Sequence, residues 1–384
     1  MNRRLVLRSG LVAAALVGLG GGAWILSLPS GMAAGAGPPI AKEETAAAIE
    51  ALKPPKRSRP LIAIVGLNDS TETTDYLMSY GILRRSDVAD VVALGTAPGA
   101  MTLFPALKVM PQATIAEFDA HYPDGADYVI VPAMSRDDDP AVLQWIRSQA
   151  SRKAIVIGVC AGAKIVANAG LLDGKRATTH WYYLDELRDR HPAIRYVADR
   201  RLVVDQGVAT TTGISASMPM MLTLIEAIAG RDKAQIVAQG LGLAGWDARH
   251  DSGAFKFTRP FALAVIANTL AFWNREEFGL EIGPGVDEVS LALVADAWSR
   301  TFRSRAVTYA AATGARKSRN GILIVPDRAG TDPPAGPSIP AIGELKPAQA
   351  LDQALQEIEG RYGRRTANLV AMQLEYPSAR IPPQ

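Results

Sequence analysis

Residues 154–164 read Ala154-Ile155-Val156-Ile157-Gly158-Val159-Cys160-Ala161-Gly162-Ala163-Lys164, and they carry the lone cysteine of the 384-residue chain. An apolar run stops at a turn of small residues and a helical pattern begins, which is how a nucleophile elbow is written. A sharp strand-to-helix turn lifts one side chain above the sheet edge and crowds the backbone, so the neighbours must be small. The turn also points the positive end of the helix at that side chain. A thiol so placed is expected to ionise early. The bland alternative is a cysteine serving as a small buried hydrophobe; the Gly-x-Cys-x-Gly frame after a strand favours reactivity over it.

Outward from the elbow the same alternation continues. Leu61-Ile62-Ala63-Ile64-Val65-Gly66 is a continuous apolar run suited to a strand buried on both faces. Helical spacing follows through Tyr76, Leu77, Tyr80, Ile82 and Leu83. Strands are expected at 88–94, 128–131 and 155–159, a hairpin around 103–109 and a helix over 141–150. Such alternation means a parallel sheet covered by helices. Ligands of open sheets collect outside the carboxyl ends of the strands. Cys160 and the segments after Gly66 and Val131 all fall on that edge.

Residues 158–162, then Gly170-Leu171-Leu172-Asp173-Gly174-Lys175-Arg176-Ala177-Thr178-Thr179-His180-Trp181, resemble the elbow and following strand of the ThiJ/PfpI superfamily. The likeness is strongest to its isonitrile-hydratase branch and to the amidase-like domains of AraC-type regulators, within the class I glutamine amidotransferase-like proteins. Twenty residues separate Cys160 from His180, as in the family's pattern. Residues 209–217, Ala-Thr-Thr-Thr-Gly-Ile-Ser-Ala-Ser, lead into a helix, and Gly245-Trp246-Asp247 stands where the family often carries Tyr-Asp-Pro. The resemblance covers about residues 60–255. It implies a flavodoxin-like three-layer α/β sandwich with a mostly parallel sheet.

The resemblance also implies partners for the sulfur. The family takes an acid from the turn after its first strand, and the matching position is Asp75, with Glu72 the runner-up. A protonated carboxyl there would donate a hydrogen bond to the thiolate and shuttle its proton; the structural alternative is a helix cap in the crowded turn of Asn68, Asp69, Ser70 and Thr71. His180 resembles the histidine near the cysteine in many relatives, either as a base or as support for the pocket. The oxyanion donors would be backbone N–H groups of Ala161 and of the loop after Val131, that is Ala133 and Met134. Relatives usually show Pro-Gly-Gly in that loop, whereas this chain has Pro132-Ala133-Met134, whose side chains resist angles that glycine permits. An altered hole is expected.

Composition limits the rest. Forty-one basic and 38 acidic residues leave a net charge of +3 with no long single-sign run, so no nucleic-acid partner is expected. One cysteine excludes an intrachain disulfide, and His121, His180, His191 and His250 lack metal-ligand spacing. No metal and no cofactor are expected. Residues 1–36 read as an export signal or membrane anchor: Asn2-Arg3-Arg4, a glycine-diluted apolar stretch from Leu11 to Leu28, then Ala34-Gly35-Ala36. They resemble a twin-arginine signal peptide with a small-residue cleavage site. A periplasmic location follows, or anchorage to the inner membrane facing the periplasm, with the membrane met only through this segment. Residues 37–59, rich in proline, read as a linker.

After a connecting helix over 256–275, the chain begins again. Gly279-Leu280-Glu281-Ile282, a helix to Thr301, Ala306-Val307-Thr308-Tyr309 and Gly321-Ile322-Leu323-Ile324-Val325 echo residues 61–111. Residues 276–384 therefore read as a truncated, degenerate α/β repeat of the 60–255 domain that lacks an elbow. It would act as a built-in dimerisation partner, so that a homodimer or an internal pseudo-dimer is expected. The leading functional expectation is an exported cysteine-dependent hydrolase or hydratase. It would act on a small electrophilic carbon (an isonitrile, an amide or a reactive aldehyde) through Cys160 with Asp75. The alternative is a non-catalytic small-molecule binding or sensor protein of the same fold.

Overall fold

Strands β1 (Leu61–Gly66), β2 (Asp90–Gly95), β3 (Ala113–Thr114), β4 (Tyr128–Val131), β5 (Ile155–Gly158), β6 (Leu202–Asp205) and β7 (Val208–Thr211) form one sheet in the order β6-β7-β5-β4-β1-β2-β3. The computed structural model describes residues 21–31, 35–330, 336–340, 342–343 and 345–376. All neighbouring strands run parallel except β6 against β7. Without the edge strands β3 and β6, the chain order across the sheet is two-one-three-four-five, the doubly wound flavodoxin-like arrangement. The expected fold class is the observed one.

The sheet's strands are apolar without interruption because both faces are covered. Ile62 and Ile64 of β1 join Ile157 of β5 and helices Thr73–Ser86 and Ser217–Ala229 in one core. Leu61, Ala63 and Val65 point the other way, with Val129, Val131, Trp145 and Ile165, into a second core under helices Pro140–Ser151 and Gly162–Asn168. Successive residues of a strand face opposite sides, so one apolar run feeds two cores and produces three layers.

The C-terminal region is woven into this body. Strands Glu276–Glu281, Ser304–Ala310 and Arg328–Ala329 form a parallel sheet, with helix Glu288–Ser299 crossing between the first two. That helix lies on Thr73–Ser86 so closely that a Cβ at Gly81 would stand 2.4 Å from Glu288 Oε1 and 2.6 Å from Val289 Cγ2. Leu323–Ile324 then pairs with Lys108–Met110, extending the hairpin that Met101–Phe104 begins. Helices Pro347–Tyr362 and Arg364–Gln373 follow, as Ser217–Ala229 and Arg231–Leu241 do in the first half.

Two expectations about the ends need restating. Residues 37–59 are not a bare linker: Lys42–Ala51 is a helix whose alanines and glutamates favour that state, the prolines merely bracketing it. Leu52 at its end is fully buried, and its carbonyl accepts from Tyr128 Oη at 2.7 Å. Of residues 1–36, the paired arginines and most of the apolar stretch lie outside the described residues. Residues 21–27 are helical, Trp24 meets the ring of Phe257 and Gly35 N–H donates to Asp251 at 2.7 Å. Among the described residues no helix is long and apolar enough to cross a membrane.

Candidate active site

Cys160 follows β5 with φ of 56°, a left-handed conformation that costs a non-glycine residue about 1–3 kcal/mol and persists only where the surroundings enforce it. They do so here. Cys160 N–H donates to Thr211 Oγ1 at 2.9 Å, and Cys160 O accepts from Thr179 Oγ1 at 3.1 Å. The turn is so tight that a Cβ on Gly162 would fall 1.9 Å from the carbonyl oxygen of Val131. The small residues of the quoted stretch are therefore a steric necessity, and the expected elbow is present at the carboxyl edge of the sheet.

The turn after β1 supplies the acids. Glu72 caps helix Thr73–Ser86, its Oε2 accepting from Asp75 N–H at 2.6 Å and Thr74 Oγ1 at 2.8 Å. Capping thus falls to Glu72, the runner-up, and Asp75 is released from it. Asp75 is wholly buried; Oδ2 accepts from Ala133 N–H at 3.0 Å, and Oδ1 has no hydrogen-bond partner. Burial, and then the nearby Glu72 charge, push the Asp75 carboxyl well above the ordinary carboxylate range. A neutral carboxyl with one unengaged oxygen is a proton donor in waiting.

With the elbow, the acid and the flavodoxin-like sheet in place, the sequence matches the DJ-1/PfpI family over residues 62–227. The chain carries a DJ-1/PfpI domain. It is 42% identical over 101 residues to the isonitrile hydratase of Pseudomonas putida, a stretch covering 26% of this chain and 42% of that one. It is 36% identical over 86 residues to the HTH-type transcriptional regulator CdhR of Pseudomonas aeruginosa, covering 22% and 25%. The chain thus spans less than half the length of either relative. Among solved structures, Drosophila melanogaster DJ-1beta is similar with a TM-score of 0.44 at 22% identity, over 49% of this chain and all of that one.

In this DJ-1/PfpI domain the thiol does not ionise early. Burial drives the Cys160 thiol well above its usual range, the carboxyls of Asp75, Glu72 and Glu375 add to the rise, and the Ala161 N–H bonded to the sulfur offsets only part of it. Helix Gly162–Asn168 has seven residues, and its dipole is outweighed by desolvation and three acids. The oxyanion expectation is also revised. Ala133 N–H, one of the expected donors, is committed to Asp75. Met134 sits in a bridge with Thr71 whose bonds run from Glu72 N–H to Ala133 O and from Ser135 N–H to Ser70 O, so the bridge does not engage the Met134 N–H.

His180 is buried, and both ring nitrogens are engaged. Nε2 faces Gln373 O at 2.9 Å and so carries the hydrogen, while Nδ1 accepts from Tyr182 N–H at 3.1 Å. Burial lowers its pKa, so the ring stays neutral. No lone pair remains to take a proton from Cys160, and His180 anchors the C-terminal helix instead of acting as a base. Among the described residues no cluster of three or more His, Cys, Asp or Glu is placed to hold a metal.

Three site residues escaped the sequence reading, all from the C-terminal region. Arg300 Nη2 donates to Glu72 Oε1 and Nε to Asp296 Oδ2, both at 2.7 Å, and the guanidinium interacts electrostatically with Cys160. Asp296 is fully buried, and that burial pushes its carboxyl up to about 7. Glu375, buried and at φ 47°, accepts from Trp181 N–H at 2.8 Å; its other oxygen lies 3.3 Å from His250 Nε2 without hydrogen-bond alignment. The only sequence signal was Asp296 four residues before Arg300 at the end of an otherwise apolar helix.

Proposed function

We propose that the domain adds a neutral nucleophile, water in the net reaction, to a small electrophilic carbon through Cys160, with Asp75 as the proton shuttle and an isonitrile as the leading substrate. The observation that carries this reading is the strained Cys160 beside a buried carboxyl whose Oδ1 is unpartnered. Both groups hold their protons in the resting site, which suits a reaction that never accumulates net charge. Sulfur bonds to the terminal isonitrile carbon while the thiol proton reaches that carbon by way of Asp75, giving a thioimidate. Water then adds to the same carbon, the C–S bond breaks, and the products are an N-substituted formamide and the restored thiol. A positioned acid of matched pKa contributes about 10²–10⁴-fold in such steps. The relative named isonitrile hydratase supports the choice of substrate class; amides and reactive aldehydes remain the neighbouring candidates.

The test is product analysis with a panel of small isonitriles. The wild type should release formamide, Cys160→Ser none, and Asp75→Asn about 10²–10⁴-fold less. A second reading, a sensor that binds such molecules without turnover, is favoured by one observation: Ala133 N–H, an oxyanion-donor position, is already taken by Asp75. Saturable binding with no formamide from the wild type would select it. The relative named as a transcriptional regulator makes DNA the competing partner, testable by gel shift.

For location we propose export, with residues 1–36 as a twin-arginine signal or as an inner-membrane anchor. The support is the Arg3-Arg4 pair and apolar stretch in sequence, together with exposed Trp24, Leu26, Leu270, Phe272 and Trp273. Fractionation of cells into periplasm and membrane checks it. We further propose that residues 276–384 are a degenerate copy acting as an internal dimer partner, supported by the strand–helix–strand order and the close seat of Glu288–Ser299 on Gly81. A monomer in sedimentation would agree.

A further inference from the structure

Behind the segment that carries Glu375 lies a cavity of about 530 Å3, within the usual size range of small-molecule sites. Leu374 and Tyr376 line it, whereas Glu375 between them turns the opposite way, toward Trp181 and His250. The cavity is therefore on the other side of one backbone segment from the Glu375 carboxyl, whose charge acts on Cys160. Its apolar wall comes from both parts of the chain: Ile214 and Met218 from the first, Leu293 and Leu351 from the second.

The charges at this cavity do not balance. Arg201, Arg231 and Arg249 all line it. Arg249 is neutralised by Asp247 at 2.6 Å, and Arg231 by Glu226 at 2.9 Å while it also covers the ring of Trp246 at 3.9 Å. Arg201 has neither kind of partner: Nε donates to the Arg249 carbonyl at 2.7 Å, and among the described residues no carboxylate lies within ion-pair distance. Burial lowers its pKa, and the charges of Asp247, which also lines the cavity, and of Glu375 offset only part of that. Arginine presents its donors as a planar fork that matches a carboxylate. A cavity with an apolar wall, three lining arginines against the single lining carboxylate of Asp247, and one guanidinium without an ion pair suits one negative charge on an apolar body.

We propose that this cavity is a second ligand site, separate from Cys160, that takes a small monocarboxylate with an apolar body, the carboxylate on Arg201 and the body against Met218, Leu293 and Leu351. Aliphatic and aryl carboxylates share this chemistry, so the probes are octanoate and 4-phenylbutyrate, titrated calorimetrically into the full chain. At least one should bind saturably at one site. Binding should persist in Cys160→Ser, fall at least about tenfold in Arg201→Gln and be lost when Met218→Trp fills the space. Octanol and 4-phenylbutanol, with the same bodies and no charge, should bind at least about tenfold more weakly to the wild type, a comparison that needs no variant to fold. No saturable binding of either carboxylate overturns the proposal, as do equal affinity for the alcohols, unchanged affinity in a folded Arg201→Gln, or loss in Cys160→Ser. Isonitrile turnover plays no part in these readouts.

Discussion

Replacing Arg300 by methionine removes the cation shared by Glu72 and Asp296 while keeping much of the side-chain volume. The partners' side chains are 8% and 0% exposed, so neither can turn to water for compensation. Breaking a buried ion pair by deleting one member costs about 3–5 kcal/mol, because the remaining charge is stranded. At about 2.1 cal/mol/K of unfolding entropy per residue, a chain of 384 residues loses about 4–6 °C of Tm. The loss should depend on pH. Burial holds the Asp296 carboxyl up at about 7 even with Arg300 present, above the ordinary 3.8. A carboxyl raised in this way binds a proton in the folded state that the unfolded chain has released, so its contribution to stability falls as pH rises from about 4 to 7. Without Arg300 the carboxyl rises further, and the variant's deficit should be full at pH 8 and cut to about half at pH 5, where Asp296 is neutral. Thermal unfolding of wild type and Arg300→Met at both pH values tests this. An unchanged Tm at pH 8, or a deficit that ignores pH, would refute the assignment of Arg300 as their counter-ion.

Three further outcomes are expected. Glu375→Gln removes one of the negative charges that hold the thiol protonated, so iodoacetamide should label Cys160 a few-fold faster at pH 8, roughly what one weakened charge interaction gives; slower labelling would contradict the electrostatics. Gly162→Ala forces a methyl into the carbonyl of Val131 and should cost more than the about 1–3 kcal/mol of ordinary overpacking, seen as a loss of soluble protein or a steep drop in Tm. Leu52→Ala should destabilise by about 2–5 kcal/mol in urea unfolding; no change would restore residues 37–59 to the status of a linker.

The doubly wound sheet was legible because continuous apolar strands and the small-residue turn are local signals. Asp75 came from the resemblance to a known family, and its release from capping depended on Glu72, three residues earlier, whose role was ambiguous among so many polar neighbours. Arg300, Asp296 and Glu375 were not legible. Asp296 and Arg300 reach the site through the seat of Glu288–Ser299 on Thr73–Ser86, and Glu375 through its contacts with Trp181 and His250, long-range contacts with no local pattern. The thiol was misjudged for the same reason: a helix end is visible in sequence, but the burial and the acids that overrule it are tertiary. His180 was found by its spacing, yet its partner, the Gln373 carbonyl, lies 193 residues away.

The tie between His180 and Gln373, and that between Trp181 and Glu375, also set an order of events in biosynthesis. Cys160 emerges from the ribosome long before the residues that will wall it in. The thiol is therefore expected to be more open to alkylating agents before helix Arg364–Gln373 and Glu375 dock than after. Protection of this sulfur from a membrane-permeant thiol reagent would thus report that residues 364–376 have been made and docked, and chains stalled before them would register as labelled cysteine.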